Sequence, residues 1–203
     1  MNPIKSMTCV ELDTGEKLFF HKSVNLPPDW SEGMTFDRES FMKQVLLLQY
    51  PRAIAKAVSL LAIRDRSEGE IRKKLLFDRY SDETVDMVLV KLHKEKLIDD
   101  QSFSIHWTES CAGQKIGPTR ISRDLRLKGV AEKDIATALE QYDEDAQLEQ
   151  ASAFVRKKLR SIGPYSGESV EMKSRIIQML IRRGFHYETA RNAVETVFSE
   201  IEK

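Results

Sequence analysis

Ile71-Arg-Lys-Lys-Leu75, Ile121-Ser-Arg-Asp-Leu125 and Ile176-Ile-Gln-Met-Leu180 are three copies of one pattern, and they decide the fold. In each copy an Ile and a Leu stand four residues apart, which places both on one face of a helix. Four residues after the Leu come Arg79, Gly129 and Gly184, followed by Tyr80, Val130 and Phe185. A left-handed stop and an apolar contact across the turn have this signature. A third helix follows in every copy, marked by Val85, Val88 and Leu89, by Ile135, Ala138 and Leu139, and by Ala190, Ala193 and Val194. The copies are offset by 50 and 55 residues, enough for three short helices each. Leading helices are predicted over Ala53–Arg64, Ser102–Gly113 and Ala146–Leu159. Ser67-Glu68-Gly69-Glu70 reads as a capping box ahead of Ile71, and Asp99-Asp100 falls where the second leading helix begins. A unit of this size buries too little surface alone, so the copies are expected to stack into an elongated array with room to curve. Linkers are expected near Leu97–Asp99 and Tyr142–Asp145.

The first residues follow a different period. Thr8, Val10 and Leu12 alternate with polar neighbours before Asp13-Thr14-Gly15-Glu16, and Leu18 and Phe20 resume the alternation, which predicts a β-hairpin. Such a hairpin is marginal alone and needs the following helices, or a second chain, to lean on. Pro27-Pro28 and Gly33 add loop chemistry, and from Asp37 a helical run through Phe41, Val45 and Leu48 is expected to break at Pro51. The predicted fold class is all-α: residues 1–50 form a small β-hairpin plus one helix. Three tandem three-helix repeats follow over 51–98, 99–142 and 143–203.

Composition bounds the function. In 203 residues, 32 bases balance 32 acids, which argues against a protein that coats nucleic acid by bulk charge. The balance is uneven: residues 51–130 hold 16 bases against 12 acids, whereas residues 1–50 hold 5 against 7. No apolar stretch approaches a membrane span and Met1–Met7 has no signal-like run, so a cytoplasmic protein is expected. Cys9 and Cys111 share no metal or disulfide spacing and read as free thiols. His21, His93, His106 and His186 are dispersed, with no HExxH or phosphate-cradling glycine loop among them. An enzyme is not expected, nor a cofactor or metal.

Four separated motifs resemble the RecX family in order and spacing. They are Ala57-Val-Ser-Leu-Leu-Ala-Ile-Arg64-Asp-Arg-Ser67-Glu-Gly-Glu70-Ile71, Leu97-Ile-Asp99-Asp100-Gln-Ser-Phe103, Ile121 through Gly129, and Leu180-Ile-Arg-Arg183-Gly184-Phe185. The resemblance spans roughly residues 50–198. Arg79 departs from the family's usual glycine, Ser104-Ile105 from its more frequent alanine, and the hairpin lies in the family's variable part. The resemblance implies a regulator in DNA repair and recombination, linked to the SOS response. Such a protein lodges in the groove of the RecA filament on single-stranded DNA and suppresses strand exchange and ATP hydrolysis. A monomer is expected, with a dimer through the hairpin as the alternative.

The candidate surface is the second helix of the second repeat. With Ile121 and Leu125 buried, Arg120, Arg123 and Arg126 fall together on the opposite side. From Lys115 to Lys128 there are five bases against Asp124 alone. From the residues alone an ordinary solvated helix face is the better explanation of such a run, since neutral proteins also need soluble helices; the family resemblance tips the reading toward contact with RecA or DNA. Arg72, Lys73, Arg175 and Arg182, on the corresponding helices of the other repeats, complete the candidate set. Arg182-Arg183-Gly184-Phe185 also has a structural reading, as cations at a helix C-terminus followed by a cap. Phe103 and Trp107 read as core, while Leu76, Phe77, Ile177 and Ile181 fall partly outside their own stripe and suggest contacts between units or with the partner, packing between units being favoured. The competing functional class is a helix-turn-helix transcription regulator. It is disfavoured by zero net charge and by third helices poor in base-reading side chains. A purely architectural solenoid is the third.

Overall fold

The structure is a computed structural model that describes residues 6–162 and 170–201; the first five residues of the stretch read for a signal sequence lie outside these. Strands β1 (Met7–Glu11) and β2 (Lys17–His21) pair antiparallel with Val10 opposite Leu18 and Thr8 opposite Phe20. Nine helices follow among the described residues: α1 (Arg38–Leu61), α2 (Glu68–Phe77), α3 (Asp82–Lys94), α4 (Asp100–Gly113), α5 (Pro118–Leu127), α6 (Glu132–Glu140), α7 (Glu144–Ile162), α8 (Val170–Arg182) and α9 (Tyr187–Ile201). None of them is long and apolar enough to cross a membrane. The chain divides into two compact units, Met1–Asp99 and Asp100–Lys203.

The repeated pattern is buried as its spacing predicts. Ile71, Leu75, Ile121, Leu125, Ile176 and Leu180 are all essentially inaccessible to solvent. Each second helix then ends in the same way. Arg79, Gly129 and Gly184 adopt positive φ, and the next N–H reaches back to the Leu carbonyl: Tyr80 to Leu75 at 3.2 Å, Val130 to Leu125 at 3.2 Å and Phe185 to Leu180 at 3.1 Å. This six-to-one bond completes a Schellman cap. Arg79 makes it without being glycine, at a left-handed backbone cost of roughly 1 kcal/mol. Its guanidinium lies 5.6 Å from the Phe19 ring centroid, so the same side chain braces the hairpin.

Pro51 does not break the helix. Helix α1 runs through it, so the expected boundary at residues 50 and 51 falls inside a continuous rod. An interior proline costs about 3 kcal/mol, but Phe41, Val45, Gln49, Ala53, Ala57 and Leu60 form one unbroken buried stripe across it. Packing on both sides of Pro51 outweighs the lost hydrogen bond. The N-terminal half of α1 packs with Leu18 and Phe20 of the hairpin, and the C-terminal half enters the core of the first repeat.

Gln49 joins the two. Its side-chain amide donates to the Phe19 carbonyl at 2.9 Å, while its oxygen accepts from the Ser81 N–H at 2.9 Å and the Thr84 hydroxyl at 3.0 Å. A buried amide satisfied at both ends fixes strand, helix and α3 N-terminus together. The hairpin therefore leans on the helices that follow it.

In the second unit, repeats two and three share one core. Phe103, Ile121, Leu125 and Ile135 join Val155, Ile176, Leu180, Val194 and Val197 in it. Ile177 and Ile181 are partly buried against this shared core, whereas Leu76 packs into the core of its own repeat and Phe77 stays exposed. Ile177 and Ile181 thus lie against a core to which two repeats contribute.

The backbones of the two repeats also meet directly. The Gly117 N–H donates to the Arg183 carbonyl at 2.9 Å, and the Thr119 N–H to the Gly184 carbonyl at 3.1 Å. These bonds join the free donors at the start of α5 to the free acceptors at the end of α8, satisfying both helix termini. The approach requires glycine at both positions: a Cβ on Gly117 would lie 2.3 Å from Gly184 C, and one on Gly184 would lie 2.5 Å from Arg120 Cβ.

Candidate partner-binding face

Helix α5 begins where Gly117 and Pro118 turn the chain, with proline suited to the first helical position because no donor is lost there. Pro118, Ile121, Ser122 and Leu125 are buried, so the helix has an inner stripe and an outer face. Arg120, Arg123 and Arg126 all stand on the outer face, as the sequence predicts. Arg123 is the most open of them, with 65% of its side chain exposed.

The face is less cationic than a residue count implies. Asp124 lies between Arg120 at 3.7 Å and Arg123 at 3.4 Å and serves both weakly. Arg126 grips Glu132 of α6 with two donors, the longer bond being 2.9 Å. That hydrogen bond raises the Arg126 pKa and lowers that of Glu132. Lys128 turns inward, its ammonium 4.0 Å from the Trp107 ring centroid and 5.8 Å from that of Phe103, a cation–π placement that covers the core's edge. Lys115 is half-buried with positive φ at the end of α4, and its carbonyl accepts from Arg183 Nε at 2.8 Å. Lys115 and Lys128 therefore have structural positions, leaving Arg120, Arg123 and Arg126 as the outward group.

The remaining candidates are scattered. On α8, Arg175 and Arg182 are exposed and form no ion pair with another described residue. Arg183, next to Arg182, is structural: besides Lys115 it donates to the Gln114 carbonyl at 2.6 Å and lies 4.8 Å from the Phe154 ring. In the first unit, Arg72 bridges Asp86 at 2.7 Å and Glu68 at 3.7 Å, and Lys73 is exposed on α2.

Of the apolar component, Phe77 was singled out from the sequence but Leu127 was not. Leu127 is 66% exposed, one turn after Arg123, and Phe77 is 62% exposed, one turn after Lys73. In the repeat alignment Lys73 matches Arg123 and Phe77 matches Leu127. The second helices of the first two repeats therefore present the same pair, a base and a large apolar side chain at i, i+4, which lie side by side on a helix surface. In the third repeat the two positions hold Gln178 and Arg182. For Leu127, a large apolar residue three places before the next apolar anchor, Val130, was the available signal.

Comparison with known proteins follows this architecture. Residues 53–92 match the first three-helix domain of RecX, residues 99–139 the second and residues 144–194 the third. A regulatory protein RecX of Pelodictyon phaeoclathratiforme is 33% identical over 145 residues, covering 71% of this chain and 88% of that protein. Another, of Prosthecochloris aestuarii, is 31% identical over 149 residues, covering 73% and 95%. A longer one, from Leuconostoc mesenteroides, is 30% identical over 175 residues; the match takes in 83% of this chain but only 64% of that protein's length. A crystal structure of regulatory protein RecX superposes with a TM-score of 0.65 at 25% identity, covering 96% of this chain and 94% of that one. The chain belongs to the RecX family.

Proposed function

We propose that this protein is a non-catalytic cytoplasmic regulator that lies along the RecA filament on single-stranded DNA and restrains its strand exchange and ATP hydrolysis. Family membership supports the partner. The observation that carries the mode of binding is the repeated surface pair, Lys73 with Phe77 and Arg123 with Leu127. A mixed cationic and apolar contact suits a protein surface with acidic groups better than a phosphate backbone, which rewards charge alone. Two copies in one chain suit a partner that itself repeats, because modest contacts made together gain from effective concentration. Arg120 and Arg126 flank the second pair and steer it electrostatically.

RecA-dependent ATP hydrolysis on single-stranded DNA, measured with and without the protein, tests the reading. The protein is expected to slow hydrolysis, and the variant with Arg120, Arg123 and Arg126 all changed to Glu to slow it far less. Thermal stability should fall only modestly, since the ion pairs lost to Asp124 and Glu132 are at the surface. Full inhibition by that variant removes α5 from the contact, and no inhibition by the unaltered protein removes the function.

A further inference from the structure

We infer that the pocket where the hairpin meets α1 and the end of α2 is a binding site for a phosphoryl group. The pocket has a volume of about 260 Å³, and His21, Arg52, Lys56 and Tyr80 are among its lining residues. That is smaller than the several hundred Å³ typical of whole-cofactor sites and suits an anionic head group. Arg52 and Lys56 are one turn apart on α1, so both project from the same side of the helix.

Neither cation is ion-paired among the described residues. In the same unit Arg38, Lys43, Arg64, Arg72, Lys74 and Lys91 each contact a carboxylate. Among the described residues Arg52 and Lys56 contact none, although Lys56 is half-buried. The one acid lining the pocket, Asp78, is already held by Lys74 at 2.7 Å. Two cations on one wall of a concavity whose acid is already paired leave a site whose electrostatic field favours an anion.

Neutral donors complete it. Arg52 donates to Ser23 Oγ at 2.5 Å, which fixes the guanidinium against the loop after β2. The Ser23 N–H donates to His21 Nδ1 at 3.2 Å, and an Nδ1 that accepts leaves the ring hydrogen on Nε2. Tyr80, half-buried, lines the same pocket. Guanidinium, ammonium, imidazole N–H and phenol together match the several acceptor oxygens of a phosphate better than the two of a carboxylate. The phosphoryl group can be carried by a free nucleotide or by a nucleic-acid backbone. The site is formed by the hairpin and the first repeat alone, and its existence does not depend on the α5 reading.

Inorganic phosphate titrated into the protein, against chloride at matched ionic strength, is the direct test, read by amide shifts of residues 19–23 and 49–56. Phosphate should move these amides in a saturable way. The double variant Arg52→Gln, Lys56→Gln should bind about tenfold more weakly or worse, while Lys43→Gln, which removes the same kind of charge from the same helix, should bind normally. An unchanged urea midpoint in the double variant shows that it folds. Parallel titrations with a deoxynucleoside 5′-monophosphate and an oligothymidylate separate the sources: both competing with phosphate indicates the backbone, and the mononucleotide alone indicates a free ligand. Shifts equal in phosphate and chloride, or a double variant that binds as tightly as the unaltered protein, overturn the inference.

Discussion

Gly117→Ala should destabilise the second unit out of proportion to its single added methyl. The new Cβ would lie 2.3 Å from both Gly184 C and Phe185 N and 2.4 Å from Gly184 O, all of them backbone atoms. Relief to ordinary contact requires the start of α5 and the end of α8 to separate by about 1 Å, which carries the two cross-repeat bonds beyond hydrogen-bonding distance. Those bonds, Gly117 to Arg183 and Thr119 to Gly184, are worth about 1 kcal/mol each. The Arg183 guanidinium loses its hold on the Lys115 and Gln114 carbonyls as well, adding about 2 kcal/mol for charged donors left without partners. The expected loss is about 4 kcal/mol, a large share of the 5–15 kcal/mol that stabilises an ordinary domain. Urea denaturation followed by tryptophan fluorescence resolves it, because the chain has two tryptophans, Trp30 in the hairpin core and Trp107 in the second unit. A Trp30→Phe background leaves Trp107 as the reporter. The control is Gly113→Ala, a helical position with nothing within 4 Å of the added Cβ, where about 0.5 kcal/mol of stabilisation is expected. A loss below about 1 kcal/mol in Gly117→Ala would refute the clasp as a determinant of stability.

Gln49→Leu should cost the first unit about 3 kcal/mol in urea melts read by Trp30, because it strands the Phe19 carbonyl, the Ser81 N–H and the Thr84 hydroxyl in a buried setting. Lys96→Gly should raise the urea midpoint by about 0.5–1 kcal/mol of stability, since Lys96 closes α3 with φ 56°. Tyr142 is buried and its hydroxyl has no partner among the described residues. Burial pushes its pKa from 10.0 up to about 12, so the unfolded chain ionises first and stability should fall as pH rises from 10 toward 12. Tyr142→Phe should flatten that decline in thermal melts. Exchanging both Phe77 and Leu127 for Ser should weaken inhibition of RecA ATP hydrolysis by about tenfold or more, with little change in melting temperature.

Local chemistry was legible and long-range chemistry was not. The Ile–Leu pairs, the Schellman positions and the Ser67 cap, whose hydroxyl accepts from the Glu70 N–H at 3.2 Å, depend on residues within one turn of each other. Pro51 misled because its local cost is real, while the buried stripe that overrides it becomes visible only when Gln49, Ala53 and Ala57 are followed across the break. The Gly117–Gly184 approach joins positions far apart in sequence; the two glycines are visible there, but not that they meet. On the candidate face, the outward direction of Arg120, Arg123 and Arg126 follows from helical spacing. Their counter-charges required more: Asp124 at i+4 from Arg120 could be read directly, but the Glu132 grip on Arg126 spans a turn between helices.

The same alignment column does different work in each repeat, and this separates what folds a copy from what connects it. The residue before the left-handed stop is Asp78, Lys128 or Arg183. Asp78 ties back to Lys74 within its own helix, Lys128 covers Trp107 and Phe103 of its own leading helix, and Arg183 crosses to the second repeat. At the stop itself, the two glycines take the left-handed turn without strain, whereas Arg79 accepts strain and reaches Phe19 of the hairpin. Divergence at these columns follows the neighbour each copy must hold. The columns two and six residues after the repeat's Ile behave differently: in the first two copies they hold a base and a large apolar residue, all four of them exposed. The proposed partner contact rests on that exposed pair; the third copy has Gln178 and Arg182 in those columns and instead holds the second repeat through its clasp.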